Sequence, residues 1–246
     1  MWITIFIQPL FNLLIFIYNL VGDMGLAIII LTILIQFLLV PLYNKQIKSQ
    51  QAMKDLQPKL KELQKKHKGD KKKQSRAMLE LYQQEGVNPL SGCLPLLFQF
   101  PIFIALYYVF RQYLTEESLH LTYSFISRPE TLNASLFNWL NLTKPEMIFL
   151  PLLAGVTSYF QMATMPQPPT PQADDSKKGE KSFTSQMGKA FSTQMKGFMP
   201  IMSFVIVMQL PSAVGIYWIT RNIFSIIQQK IVYRDKKGVK VRVSKK

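Results

Sequence analysis

The chain has 246 residues, 48% of them hydrophobic, with 29 Lys+Arg against 14 Asp+Glu and a formal net charge of +15. So much apolar residue excludes a disordered chain, and the single cysteine, Cys93, excludes a disulfide framework or a multi-cysteine metal site. A chain both hydrophobic and strongly basic either mixes the two properties, as a soluble nucleic-acid-binding domain does, or segregates them, as a membrane protein does.

The segments, taken in order, show segregation. In residues 1–23, Thr4, Gln8, Asn12 and Asn19 fall on one helical stripe. That pattern fits a helix lying in the membrane interface. A further span or an uncleaved signal segment is the other reading, with Pro9 and the lack of a basic leader against a signal peptide. Residues 24–43 predict transmembrane span 1, apolar from Met24 to Leu42 except for Thr32 and Gln36. Residues 44–90 predict a cytoplasmic helical hairpin: Met53, Leu56, Leu60 and Leu63 keep helical spacing, as do Met78, Leu79, Leu81 and Tyr82, with a turn-like His67-Lys68-Gly69-Asp70 between them. Its Lys-rich faces suit anionic lipid headgroups or RNA; a solvated surface that only fixes topology is the plainer reading.

Residues 91–113 predict span 2, with Gln99 its strongly polar side chain, and 114–145 an extracytoplasmic loop. Residues 146–165 predict span 3, uncharged from Met147 onward, and 166–196 a cytoplasmic linker marked by Pro166, Pro168, Pro169 and Pro171. The apolar stretch from Phe198 to Val232 exceeds the roughly 20 residues of one span. Pro211 divides it into span 4 (197–210) and span 5 (211–232), ahead of a basic tail, 233–246. The expected fold class is therefore an all-α polytopic membrane protein with five transmembrane helices, an amino-terminal interfacial helix and a cytoplasmic hairpin.

Charge supports this division. Tyr43 to Leu90 holds 12 Lys+Arg, Arg111 to Glu146 three, Pro166 to Lys196 five, and Arg221 to Lys246 nine. Basic loops stay cytoplasmic, so the protein is expected in the cell membrane with its amino end out and its carboxyl end in. Two spans after the linker, not one, return the basic tail to the cytoplasm.

No catalytic constellation is present. His67 and His120 fall on opposite sides in this topology, Cys93 has no basic neighbour, and no glycine-rich phosphate loop occurs. No cofactor, metal or small-molecule substrate is expected. The informative residues are polar groups at membrane depth: Thr32, Gln36, Gln99, Gln161, Gln209, Thr220, Asn222 and above all Arg221, ten residues beyond Pro211. A charge at that depth costs about 2.5–3.5 kcal/mol on insertion scales unless it meets water or a partner. Together these residues suggest a hydrated cavity. Interhelical hydrogen bonding by the amides, and snorkelling of Arg221 to the interface, remain the alternatives.

Asn88-Pro89-Leu90-Ser91-Gly92-Cys93-Leu94-Pro95, continuing through Gln99, Pro101-Ile102-Phe103 and Ala105-Leu106-Tyr107, resembles the signature of the YidC/Oxa/Alb family of membrane-protein insertases, in its bacterial YidC type. The resemblance extends to Gln8-Pro9-Leu10-Phe11, Leu31-Thr32, Pro41-Leu42, Leu56-Gln57-Pro58, Leu150 to Thr157, Tyr217-Trp218 and Asn222 to Gln229. The expectation is a member lacking the large extracytoplasmic domain that some bacterial members carry. The resemblance implies an ATP-independent insertase with a polar groove open to cytoplasm and lipid, lined here by Thr32, Gln36, Gln99, Gln161, Gln209, Tyr217, Trp218, Arg221 and Asn222. It implies newly made membrane proteins as clients, and the ribosome (rRNA), the signal recognition pathway, the Sec translocon and anionic lipids as partners. Lys65, Lys66, Lys71, Lys72 and Lys73 of the hairpin and Arg234, Lys236, Lys237, Lys240 and Arg242 of the tail are the basic residues placed to meet ribosome or lipid.

One departure stands out. Family members commonly carry an arginine five residues before the Pro-Leu pair of the first span, where this chain has Gln36, while Arg221 stands where a small polar residue is usual. The groove's positive charge is thus expected to have moved to span 5. A channel or transporter subunit is the competing reading, against which stand the lack of an inverted repeat and of any acidic residue inside a span.

Overall fold

The computed structural model describes residues 3–67, 69–88, 94–164 and 197–235. The linker 166–196, Cys93 and tail residues Lys236, Lys237, Lys240 and Arg242 lie outside the described residues. Among those described, eight α-helices carry the fold: α1 (Gln8–Val21), α2 (Met24–Asp55), α3 (Gln57–Lys66), α4 (Lys71–Gln84), α5 (Leu94–Gln112), α6 (Phe149–Thr164), α7 (Gly197–Gln209) and α8 (Ser212–Asp235).

Local chemistry sets the helix ends. α1 follows a π-helical turn at Ile3–Ile7, takes Pro9 in its first turn, and closes on Gly22, whose φ of 73° brings its N–H to Tyr18 O. Asp23 then caps α2, accepting from Leu26 N at 2.9 Å. The apolar run stops at Leu42, but the following Gln, Lys, Ala and Met residues are good helix formers. The expected span 24–43 is therefore the first part of one 32-residue helix ending at Asp55, with Pro41 inside it. Among the described residues, α2 alone meets both the length and the apolarity needed to cross a membrane.

Met53 belongs to this long helix, and the Leu60 side chain is buried on α3. α3 and α4 are in contact. Gly69 (φ 100°) and the capping Asp70, which accepts from Lys73 N, lie between them. A Lys59–Glu85 ion pair ties the start of α3 to the residue just past α4.

Residues 114–145 add a small non-helical element to a mostly helical chain. A 3-10 turn, Glu116–Leu121, is followed by an antiparallel ribbon in which β1 (Ser135–Leu136) pairs with β2 (Leu140–Asn141). Strands two residues long leave no alternation for a sequence pattern to reveal. The polar stripe of α1 docks onto this loop instead of facing water. Gln8 and Asn12 side chains donate to Leu121 O, Asn12 Oδ1 accepts from Tyr123 N at 2.6 Å, and Asn19 donates to Ser127 O. Phe11, Leu14 and Ile15 are fully buried, whereas Leu13, Phe16 and Leu20 are exposed.

The break expected at Pro211 is present and held from outside. Ser212 donates to Lys144 O through both N and Oγ, at 2.9 and 2.7 Å, and Ala213 N donates to Leu142 O at 3.1 Å. α8 packs along α2 and α6. Gly215 permits the approach, since a Cβ there would stand 3.0 Å from Val207 Cγ1 and 3.3 Å from Leu150. Large apolar side chains of these helices are exposed, including Phe37, Leu38, Phe160, Ile227 and Ile231, while Gln36, Gln99, Gln161, Asn222 and Gln229 are buried. Beside the buried apolar core, so many exposed large apolar residues over buried amides are unlike the surface of a water-soluble domain.

Candidate functional site

Gln99 of α5 is the hub of a buried polar network. Its Oε1 accepts from Tyr43 OH of α2 at 3.0 Å and from Arg221 Nε of α8 at 2.8 Å, and its Nε2 donates to Tyr217 OH. Arg221 is half-buried, ten residues into α8, and pairs with no carboxylate among the described residues. A neutral amide oxygen thus supplies the protein's answer to its charge.

The guanidinium also lines a cavity of about 40 Å³ between α2, α6 and α8, shared with Gln36, Tyr43, Gln46, Ile47 and Gln50 of α2, Gln161 of α6, and Ser225, Gln228 and Gln229 of α8. At roughly 10–15 Å³ each, a few water molecules fit. Gln36 is 2% exposed and its Nε2 has no protein partner, so water in this cavity is what would satisfy it. Three of the other amides are tied in place: Gln161 Nε2 and Gln229 Nε2 each donate to Ser225 Oγ at 3.1 Å, Thr164 Oγ1 to Gln229 Oε1 at 2.6 Å, and Gln228 Nε2 to Asn44 Oδ1 at 2.9 Å. From Gln36 to Gln50 the lining follows α2 for about 21 Å, from the apolar run to the end that carries Lys45 and Lys48.

A second cluster joins α6, α7 and α8. Ser158 Oγ accepts from Asn222 Nδ2 at 2.9 Å and Trp218 Nε1 at 3.3 Å, and meets Ser203 Oγ at 2.9 Å. Trp218 also stands edge-on to Phe103 at 5.8 Å. Of the residues expected from sequence, Gln36, Gln161 and Arg221 therefore line the cavity, and Gln99 and Tyr217 join it through the hub. Trp218 and Asn222 sit in the neighbouring cluster. Two are not brought in: Thr32 bonds Ile28 O in its own helix at 2.6 Å, and exposed Gln209 donates to Val205 O at 3.2 Å.

Tyr43, Gln46, Gln50, Ser225, Gln228 and Gln229 were not singled out by sequence. The signal was spacing, since Arg221, Ser225, Gln228 and Gln229 follow i, i+4, i+7, i+8 on one helical face.

Lys65, Lys66 and Lys72 on α3 and α4 and Arg234 near the end of α8 are exposed. Lys73, also exposed, approaches Asp70 at 3.5 Å. Lys71 starts α4.

The chain matches the family model described as 60Kd inner membrane protein over residues 16–239. Membrane protein insertase YidC of Brucella suis is 35% identical over 252 residues, covering 98% of this chain and 37% of the relative; that of Haemophilus ducreyi is 38% identical over 248 residues, covering 98% and 40%. The chain thus spans well under half the length of these curated relatives. A crystal structure of an active YidC insertase with its first transmembrane domain resolved aligns at a TM-score of 0.57 and 26% identity, covering 94% of this chain and 46% of the other. With the match running through nearly every described element, the chain belongs to the 60Kd inner membrane protein family, the family of the YidC-type insertases.

Proposed function

We propose that this chain works as a membrane-protein insertase, moving short hydrophilic client segments through the polar cavity and releasing apolar segments into lipid without ATP. The observation that carries this reading is Arg221, a cation without a carboxylate among the described residues, lining a glutamine-rich cavity beneath an apolar exterior. Desolvating a polar client tail in hydrocarbon is costly, and a hydrated recess shortens the distance over which that cost applies. Burial of the client's apolar span in lipid then drives the step, at about 25 cal/mol per Å². No bond is made or broken, so no catalytic residue is assigned.

In this reading α2, α5, α6, α7 and α8 are the five spans, with the amino end out, the carboxyl end cytoplasmic and α3–α4 forming the cytoplasmic hairpin. Lys65, Lys66, Lys71, Lys72, Lys73 and Arg234, with Lys236, Lys237, Lys240 and Arg242 of the tail, meet ribosomal RNA or anionic headgroups. Salt-sensitive cosedimentation with ribosomes separates these two partners. The groove's charge sits on α8, and Gln36 faces the same cavity from α2.

The test is client insertion in cells depleted of their own insertase. Arg221→Ala is expected to fail and the pair Arg221→Ala with Gln36→Arg to recover, because both positions line one cavity. Full activity of Arg221→Ala alone would sink the assignment. Proteoliposomes holding only this protein are expected to insert a small single-span client without ATP; ion flux without insertion would favour a channel instead.

A further inference from the structure

The ribbon between α5 and α6 carries its largest apolar side chains on the outside. Phe137 is 68% and Trp139 76% exposed at its turn, and Met147 and Ile148 are exposed where the chain leaves it for α6. Such residues at the tip of a loop usually cost solubility with no gain.

The turn is built to present them. Trp139 N donates to Leu136 O at 3.0 Å, closing a tight turn whose central residues, Phe137 and Asn138, have φ of 50° and 57°. Asn and Gly suit such positions, whereas a bulky aromatic rarely adopts that conformation. Asn138 is also exposed, and its side-chain oxygen accepts from Asn133 Nδ2 and from Ser135 Oγ, which ties the turn to the strand before it. The polar residue of the turn is hydrogen-bonded back to the ribbon, and the two aromatics flanking it are exposed.

The height of the turn is fixed by three helix ends. Phe137 N donates to Asp23 Oδ2 at 2.5 Å, and Leu136 packs on Gly25, at the start of α2's apolar run. Lys144 O and Leu142 O hold the first residues of α8. Glu146 accepts from the N–H groups of Ile148, Phe149 and Leu150, opening α6. The ribbon therefore lies at the level where α2, α6 and α8 all begin. Its exposed face runs into the exposed apolar face of α6, through Phe149, Leu152 and Val156. In a membrane protein that level is the boundary between hydrocarbon and water, where Trp and other aromatic side chains gain most by placing an apolar body in lipid beside a polar edge.

We propose that the Phe137–Trp139 turn is a lipid anchor, its two aromatics seated in the headgroup and upper acyl region of the leaflet where α2, α6 and α8 begin. The occupant is the surrounding bilayer. The anchor ties the loop, and through Lys144 the α7–α8 break, to a fixed depth.

The test uses the full chain in vesicles of phosphatidylcholine and phosphatidylglycerol. Of the three tryptophans, Trp2 and Trp218 are replaced (Trp2→Phe, Trp218→Phe), leaving Trp139 to report. Lipid brominated high on the acyl chain is expected to quench its emission about twofold or more, with aqueous acrylamide quenching weakly, as for an interfacial tryptophan. Strong acrylamide quenching without bromolipid quenching would overturn the proposal. So would shielding from both quenchers, which means that protein covers the turn. Should the two replacements impair folding, a nitroxide at Phe137→Cys in a Cys93→Ser chain reads the same depth. Faster collision with oxygen than with a water-soluble nickel chelate supports the anchor, and the reverse order overturns it.

Discussion

Arg221 on α8 donates to the side-chain oxygen of Gln99 on α5 at 2.8 Å, and that oxygen also accepts from Tyr43 of α2. Three helices are thus joined through one neutral amide. Gln99→Leu leaves the guanidinium and two tyrosine hydroxyls without their acceptor or donor. Each orphaned buried group costs about 1–3 kcal/mol, so thermal unfolding in detergent is expected well below that of the parent. A double-mutant cycle with Arg221→Leu should be strongly non-additive, because the second change removes a group the first had already stranded. Additive losses would mean that the contact carries no energy.

Gly25 lies so close to Leu136 that a Cβ at position 25 would overlap its side chain. Gly25→Ala is expected to destabilise the protein by about 1–3 kcal/mol, the usual cost of overpacking. Adding Leu136→Gly should recover part of the loss, because Leu136 Cβ itself would stand 2.6 Å from the new methyl. Unfolding midpoints of the two single variants and the pair check this, and no recovery would mean that the strain lies elsewhere.

Ser158 serves Asn222, Trp218 and Ser203 through one hydroxyl. Ser158→Ala is expected to cost about 1–3 kcal/mol, since Asn222 is 1% exposed and loses its shorter acceptor contact. Ser203→Ala should cost less, because Ser158 retains its other two partners. Equal losses in unfolding midpoint would contradict this ranking.

Glu146 accepts from three backbone N–H groups at the start of α6. Glu146→Ala should cost about 0.5–2 kcal/mol, the range for loss of a helix cap. Hydrogen exchange is expected to rise first at Ile148, Phe149 and Leu150. Unchanged protection there would show that the cap contributes nothing.

Much of this architecture was legible in the sequence where one physical term dominates. Apolar runs located α2, α5, α6, α7 and α8, and Pro211 located the break between the last two, because loss of a backbone donor acts locally. Arg221 and Gln161 stood out because polar groups at membrane depth need partners. The partners themselves were not legible: nothing in the local sequence of Gln99 says that Tyr43, 56 residues earlier, will donate to it. Helix α2 runs on past the expected span because apolarity fades at Leu42 while helix propensity does not. The stripe of Gln8, Asn12 and Asn19 was seen, but water and a loop's carbonyl groups attract the same side chains, and only the fold decides between them. Gln209 is expected in the groove on polarity alone, whereas on α7 it is exposed and bonds within its own helix.

The unbroken course of α2 couples the two ends of the molecule mechanically. At 32 residues it is a rod about 48 Å long, with Gln36 near its middle and α3 attached at its far end. Leu56 alone separates α3 from that rod. Pro41, which lacks the N–H for the ladder, is the one joint along the way. Gln36 lies before that joint and Tyr43, Gln46 and Gln50 beyond it, so one cavity wall is built from both sides of the proline.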